Sequence, residues 1–190
     1  MPLLDQPMGG LYPVFRFRTQ FFCTKSVLLV FALNAAVGMG FAFQAQAQTA
    51  GSGLPLPRFV SLRAGEVNLR TGPGVQYPVE WVYRKSGLPL EIIAEYKTWR
   101  KVSDWEGSQG WVHQTMLSSK RSFIITGGTR TIHTQADSKS HPVASVQVGV
   151  SGQLIACPSG NEFCRIDVEG FEGWLNRADF WGILKGEDFE

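Results

Sequence analysis

An internal repeat restricts the fold of this chain more than any other feature. Residues 67–117 read VNLRTGPGVQYPVEWV, LPLEIIAEYKTWRKV and DWEGSQGWVHQTML in succession. Residues 130–180 keep that order with RTIHTQADSKSHPVASV, GQLIACPSGNEFCRI and DVEGFEGWLNRADF. Pro78 matches Pro142, Leu90 matches Leu154, Trp99 matches Phe163, and Gly110-Trp111 matches Gly173-Trp174, with an offset that drifts by one residue. So regular a correspondence marks duplication of one folding unit. A unit of about fifty to sixty residues buries only a marginal core, so the copies are expected to pack against each other. The link Ser118-Ser119-Lys120-Arg121-Ser122 is too short to separate them far.

Each copy reads as short strands. Val67 and Leu69 alternate with Asn68 and Arg70, and Leu88, Leu90 and Ile92 alternate along the next run. Gly72-Pro73-Gly74, Lys97-Thr98 and Gly107-Ser108 punctuate them as turns. Beyond residue 47 there is no helical period of useful length. Short strands joined by tight turns predict an all-β chain of small barrels or sandwiches.

Ahead of the repeats lies an address. Arg16, Arg18 and Lys25 precede an uncharged, apolar stretch from Ser26 to Phe43, which ends in Ala45-Gln46-Ala47. A basic region, an apolar region and a small-x-small site compose a secretory signal peptide, with cleavage expected after Ala47. The alternative is an uncleaved anchor helix, since the apolar run approaches the roughly 20 residues needed to span a bilayer. Export implies a periplasmic or secreted protein that is not membrane-embedded once cleaved. Removing residues 1–47 takes away three of the 18 basic residues and one of the 16 acidic ones, leaving a formally neutral chain. Nucleic acid and other polyanions are therefore poor partners. The expected organisation is a signal peptide at 1–47, a linker at 48–58 and a first repeat at 59–118, then a second repeat at 122–184 and a tail at 185–190. In the linker, Pro55 and Pro57 could form a docking polyproline segment, though a plain spacer is the simpler reading.

VNLRTGPG at 67–74, TWRKVSDWEG at 98–107 and GWVHQTML at 110–117 resemble the bacterial SH3-like domain in its periplasmic tandem form. The resemblance implies two tandem SH3-like small β-barrels packed together, each partly open and five-stranded. It also implies binding of peptides or cell-wall material without catalysis. The second copy departs from the pattern at the first turn. Asn68 becomes Thr131, Arg70 becomes His133, and Gly-Pro-Gly becomes Gln135-Ala136-Asp137.

Nothing in the residues supports an enzyme. Cys157 and Cys164 lie seven positions apart around Pro158-Ser159-Gly160-Asn161, which suits the reversal of a β-hairpin. Facing cysteines in an exported protein oxidise, so a disulfide is expected, with Cα atoms about 4.4–6.8 Å apart. Paired spacings for zinc are absent, as are nucleophile elbows and phosphate loops, and no metal or cofactor is expected. Asp104, Glu106, Asp167 and Glu169 flank glycine turns, where they serve as turn caps.

The aromatics are the better lead. Trp99 and Trp111 recur as Phe163 and Trp174, which predicts core packing. Tyr77, Trp81 and Trp105 have no aromatic counterparts in the second copy. A core that needs aromatics there would need them twice, so these three predict a one-sided ligand groove. The competing reading is a seam between the copies, which Trp181 and Phe189 could also cover. Arg70, beside the first turn, would either bond turn carbonyls or grip a ligand carboxylate. The expected ligand site is Arg70, Tyr77, Trp81 and Trp105 on the first copy, with the second copy as its support. The expected partner is a cell-wall peptide or an extended segment of an envelope protein. The alternative is a structural assembly or regulatory partner of a separate cell-wall enzyme, with no ligand site of its own.

Overall fold

The computed structural model describes residues 51–189; the expected signal peptide, its expected cleavage site and the start of the expected linker lie outside the described residues. The first repeat runs β1 (Arg58–Leu62), β2 (Val67–Arg70), β3 (Val79–Tyr83), β4 (Pro89–Tyr96), β5 (Trp99–Ser103) and β6 (Gln109–His113), then a 3-10 turn (Gln114–Met116) and β7 (Leu117–Ser118). The second runs β8 (Ser122–Ile125), β9 (Arg130–His133), β10 (Pro142–Val146), β11 (Ser151–Ala156), β12 (Phe163–Val168) and β13 (Phe171–Asn176), then a 3-10 turn (Arg177–Asp179) and β14 (Phe180–Trp181). Both form antiparallel seven-stranded sheets of the same order, β3-β2-β6-β5-β4-β1-β7 and β10-β9-β13-β12-β11-β8-β14. The duplication is thus complete at the level of topology. Each sheet stays open, because β3 and β7 (β10 and β14 in the second) are its two ends.

Alternation decides which side chains enter each core. In β5 and β6 the inward residues are Arg100, Val102, Gly110 and Val112. Period-2 geometry therefore turns Trp99 and Trp111 to the outer face, where both are only half-buried. The core packing expected of these two tryptophans is overturned. Trp99 instead stands edge-on to His113, ring centroids 5.3 Å apart. The recurrent Gly-Trp has its reason in the glycine. A Cβ on Gly110 would come within 2.5 Å of Leu69 Cγ and 2.9 Å of Arg70 O. One on Gly173 would come within 2.5 Å of Ile132 Cγ2 and 2.6 Å of His133 O. Only glycine lets the neighbouring strand approach so closely.

Strand register also corrects the alignment of the copies. Leu62 and Ile125 exchange hydrogen bonds with Leu88 and Gly87 in one repeat and with Val150 and Gly149 in the other. That register matches Leu90 to Gly152 and Ile92 to Leu154, two residues away from the sequence match of Leu90 with Leu154. The mismatch arose because the residue sizes are exchanged across strands. Val60 faces Leu90 in the first repeat, and Phe123 faces Gly152 in the second. A Cβ on Gly152 would come within 2.8 Å of the Phe123 ring, so the phenyl fills the space that Leu90 fills in the first copy.

The two repeats share packing within one compact unit. Ile124 of the second joins the buried cluster of the first, and Trp181 packs against it. Phe59 and Trp181 meet edge-to-face with centroids 4.7 Å apart. The Arg121 guanidinium lies 5.8 Å from the Phe59 ring and 5.1 Å from that of Phe189. Trp181 does cover the seam. Phe189 contributes through Arg121 while packing chiefly on the second core and bridging to Cys157. In the segment read as a linker, Ser52 donates from its backbone N–H and its hydroxyl to the carboxylate of Glu95 on β4, which also pairs with Arg58.

Candidate functional site

β3 is an edge strand, so one side of its backbone is unpaired by the sheet. The burial along it changes from exposed at Val79, Glu80 and Trp81 to buried at Tyr83. Tyr83 anchors the strand. Its hydroxyl donates to Asp104 Oδ2 at 2.9 Å, and Asp104 Oδ1 accepts from the N–H groups of Glu106 (3.0 Å) and Ser108 (2.8 Å). Burial, then the hydrogen bond to the Asp104 carboxylate and its charge, pushes the Tyr83 phenol far above its ordinary value. It therefore remains a donor. One carboxylate thus caps the 104–108 loop and ties it to β3.

The tie creates a cleft of about 390 Å³ between β3 and that loop. Trp81, Tyr83, Arg84, Leu88, Trp105 and Glu106 are among its walls. Trp81 is 59% exposed, while Trp105 is half-buried against the first core. The structure therefore brings together two of the four residues selected from sequence.

Tyr77 and Arg70 sit elsewhere. The Arg70 Nη1 group donates to the carbonyls of Tyr77 (2.8 Å) and Val75 (3.2 Å), holding the 71–78 turn. The Tyr77 ring lies over Gly72, where any Cβ would collide with it. In the second repeat His133 takes Arg70's place, with Nδ1 3.1 Å from Ser140 O. The V-N-L-R-x-G-P signature thus has a structural task at this turn.

The second repeat has the equivalent cleft, about 420 Å³, between β10 and the 168–171 turn. Register matches Trp81 to Ala144, Tyr83 to Val146, Asp104 to Val168 and Ser108 to Phe171. The buried polar pair is replaced on both sides by valine. Sequence reading missed that coupled exchange and the exposed Phe171, though the exchange is visible once the copies are aligned by strand.

Cys157 and Cys164 are joined by a disulfide, as expected, with Cα atoms 4.3 Å apart, just below the lower bound of the expected range. Both are fully buried. Arg177, not singled out from sequence, donates to the carbonyls of Asn161, Glu187, Cys157 and Pro158 at 2.7–2.8 Å and so holds the intervening turn. Among the described residues, no group of three or more His, Cys, Asp or Glu side chains is arranged to hold a metal ion.

Comparison with known proteins agrees with this architecture. Residues 63–119, most of the first repeat, match the model of the bacterial SH3 domain family, and the second repeat has the same strand order as the first. No curated protein matches the chain. Two solved structures, NlpC2 and NlpC1 from Trichomonas vaginalis, are 10% and 12% identical to it, each with a TM-score of 0.31. The matches cover 67% and 71% of this chain but only 48% and 49% of those, about half their length. Likeness at this level carries no argument about function.

Proposed function

We propose that this is an exported, non-catalytic binding protein whose first repeat takes an extended peptide in the cleft between Trp81 and Trp105. The ligand is a cell-wall peptide or an extended segment of an envelope protein. One observation carries the reading. Two tryptophans without counterparts in the second repeat flank one cleft, beside a strand whose outer edge is unpaired. An extended peptide can hydrogen-bond to such an edge while its side chains rest on the indoles. The seam between the repeats is packed by Phe59, Ile124 and Trp181, which supports a separate task for Trp81 and Trp105.

Titration of tryptophan fluorescence with soluble peptidoglycan fragments tests this. Trp81→Ala should cost about 1–4 kcal/mol of affinity and leave the melting temperature nearly unchanged. Binding that survives both Trp81→Ala and Trp105→Ala removes the cleft from the account. For export, intact mass of the fractionated protein should place the N-terminus at Gln48; a membrane-held species keeping residues 1–47 would show an anchor instead.

A further inference from the structure

The tandem arrangement builds a second cavity that neither repeat could form alone. It measures about 580 Å³ and lies between β1, the Lys85–Gly87 turn, the link from Ser118 to Ser122, and the start of β11. Its walls carry Arg63, Lys85, Lys120 and Arg121, and no Asp or Glu among the described residues. Serines and glycines, with Leu62 and Gln153, line the remainder. Glu187 balances Arg121 through a paired contact of 2.5 and 3.0 Å. Arg63 spends its Nε on Leu117 O. Lys85 and Lys120 are exposed, with no ion pair among the described residues. The cavity therefore holds three uncompensated positive charges on a chain that is neutral after residue 47.

A second observation concerns buried polar atoms. Arg121 Nε and Ser122 Oγ, both on residues that wall the cavity, are buried and have no hydrogen-bond partner. Ser122 is 94% withdrawn from solvent, and such groups ordinarily find partners. Unspent donors beside uncompensated cations are the features of an anion site.

We infer that the seam cavity binds an oxyanion, a carboxylate or a phosphate, between the two repeats. This site is independent of the Trp81 cleft. Lys85 and Lys120 supply charge, and Arg63 adds a third cation. Because one wall belongs to each repeat, occupancy also links their relative placement.

Amide NMR on the isotope-labelled protein tests the inference with three probes: inorganic phosphate, acetyl-Ala-Ala with a free carboxylate, and the same dipeptide as its C-terminal amide. Phosphate, the free dipeptide or both should shift the Gly87 and Gly152 amides saturably in the millimolar range. The amidated dipeptide should not. The Trp81 indole N–H should stay in place, which separates this site from the peptide cleft. The exposed pair Lys85→Gln with Lys120→Gln should weaken binding by at least about tenfold without lowering the melting temperature. Which probe saturates tells whether the natural group is a carboxylate or a phosphate. The site is overturned if neither anion gives a saturable shift, if the amide moves the same resonances, or if the double variant binds as tightly.

Discussion

Glu95 and Arg100 face each other across β4 and β5 at the position where Cys157 and Cys164 face each other in the second repeat. The first copy closes this end of its sheet with charge. The second closes it covalently. Arg100 Nε lies 3.1 Å from Glu95 Oε1, both side chains are largely buried, and Arg58 and Ser52 complete the cluster.

Burial alone would raise the Glu95 carboxyl, but hydrogen bonds from Arg58 and Ser52 and the Arg58 charge outweigh it and hold it at about 2. A carboxyl lowered on folding stabilises the protein above its ordinary value of 4.5, and that contribution is lost as pH falls towards 2. Thermal melts should therefore drop across this acid window, and Glu95→Gln should flatten the drop while lowering stability at neutral pH. An unchanged acid slope in the variant would assign the drop to other carboxylates.

The covalent version predicts a different sensitivity. Reducing Cys157–Cys164, or replacing both by alanine, should cost about 2–3 kcal/mol in the chain-entropy account of so short a loop. Urea unfolding with and without reductant measures it. Free thiols titrating in the untreated, denatured protein would contradict the bond itself.

Tyr83 and Asp104 should behave as one unit. Tyr83→Phe leaves Asp104 Oδ2 without its donor and should cost about 1.5–3 kcal/mol, as expected for a hydrogen bond to a charged group. Asp104→Ala additionally frees the Glu106 and Ser108 amides and should be worse. The double variant should fall short of the sum by about 0.5–3 kcal/mol. Strict additivity in a double-mutant cycle would mean that the loop is not tied to β3 through this pair.

Much of the fold was legible in the sequence, because duplication and strand alternation are both periodic signals. The cysteine hairpin was legible for the same local reason. Alternation also contained the answer for Trp99 and Trp111, which sit out of phase with Val102 and Val112 on their own strands. Recurrence was mistaken for burial, when the recurrent need lies in the inward glycine. The Leu90–Gly152 equivalence was hidden because its compensation, Val60 to Phe123, lies on another strand. Half of the candidate site was legible. Trp81 and Trp105 converge through Asp104, whereas Arg70 and Tyr77 are local to a turn, where Arg70 bonds the Val75 and Tyr77 carbonyls as the first of its two readings had it.

That phase argument makes an ordering prediction. Gly110→Ala should destabilise the first repeat by about 1–3 kcal/mol or more, since the added methyl meets backbone as well as the Leu69 side chain. Trp111→Ala, on the outer face, should cost less than Gly110→Ala despite removing far more atoms. Denaturant midpoints of the two variants decide the order, and the reverse order would return Trp111 to the core.

The seam gives the last prediction. Trp181 belongs to the second repeat, yet it stacks edge-on against Phe59 and packs on the first repeat's buried cluster beside Ile124. Truncating a packed tryptophan costs about 3–5 kcal/mol when fully buried, and Trp181 is half-buried, so Trp181→Ala should approach the lower figure. The loss should fall unevenly. The second repeat keeps its disulfide and its own cluster of Phe123, Ile132, Leu154 and Ile166, whereas the first loses a lid over its core. Hydrogen exchange should therefore accelerate at Leu62, Leu90 and Val102 more than at Ile132 and Ile166. Equal acceleration in both repeats would mean that they unfold as one unit even without this contact, and no acceleration would mean that the seam contributes nothing to the first core.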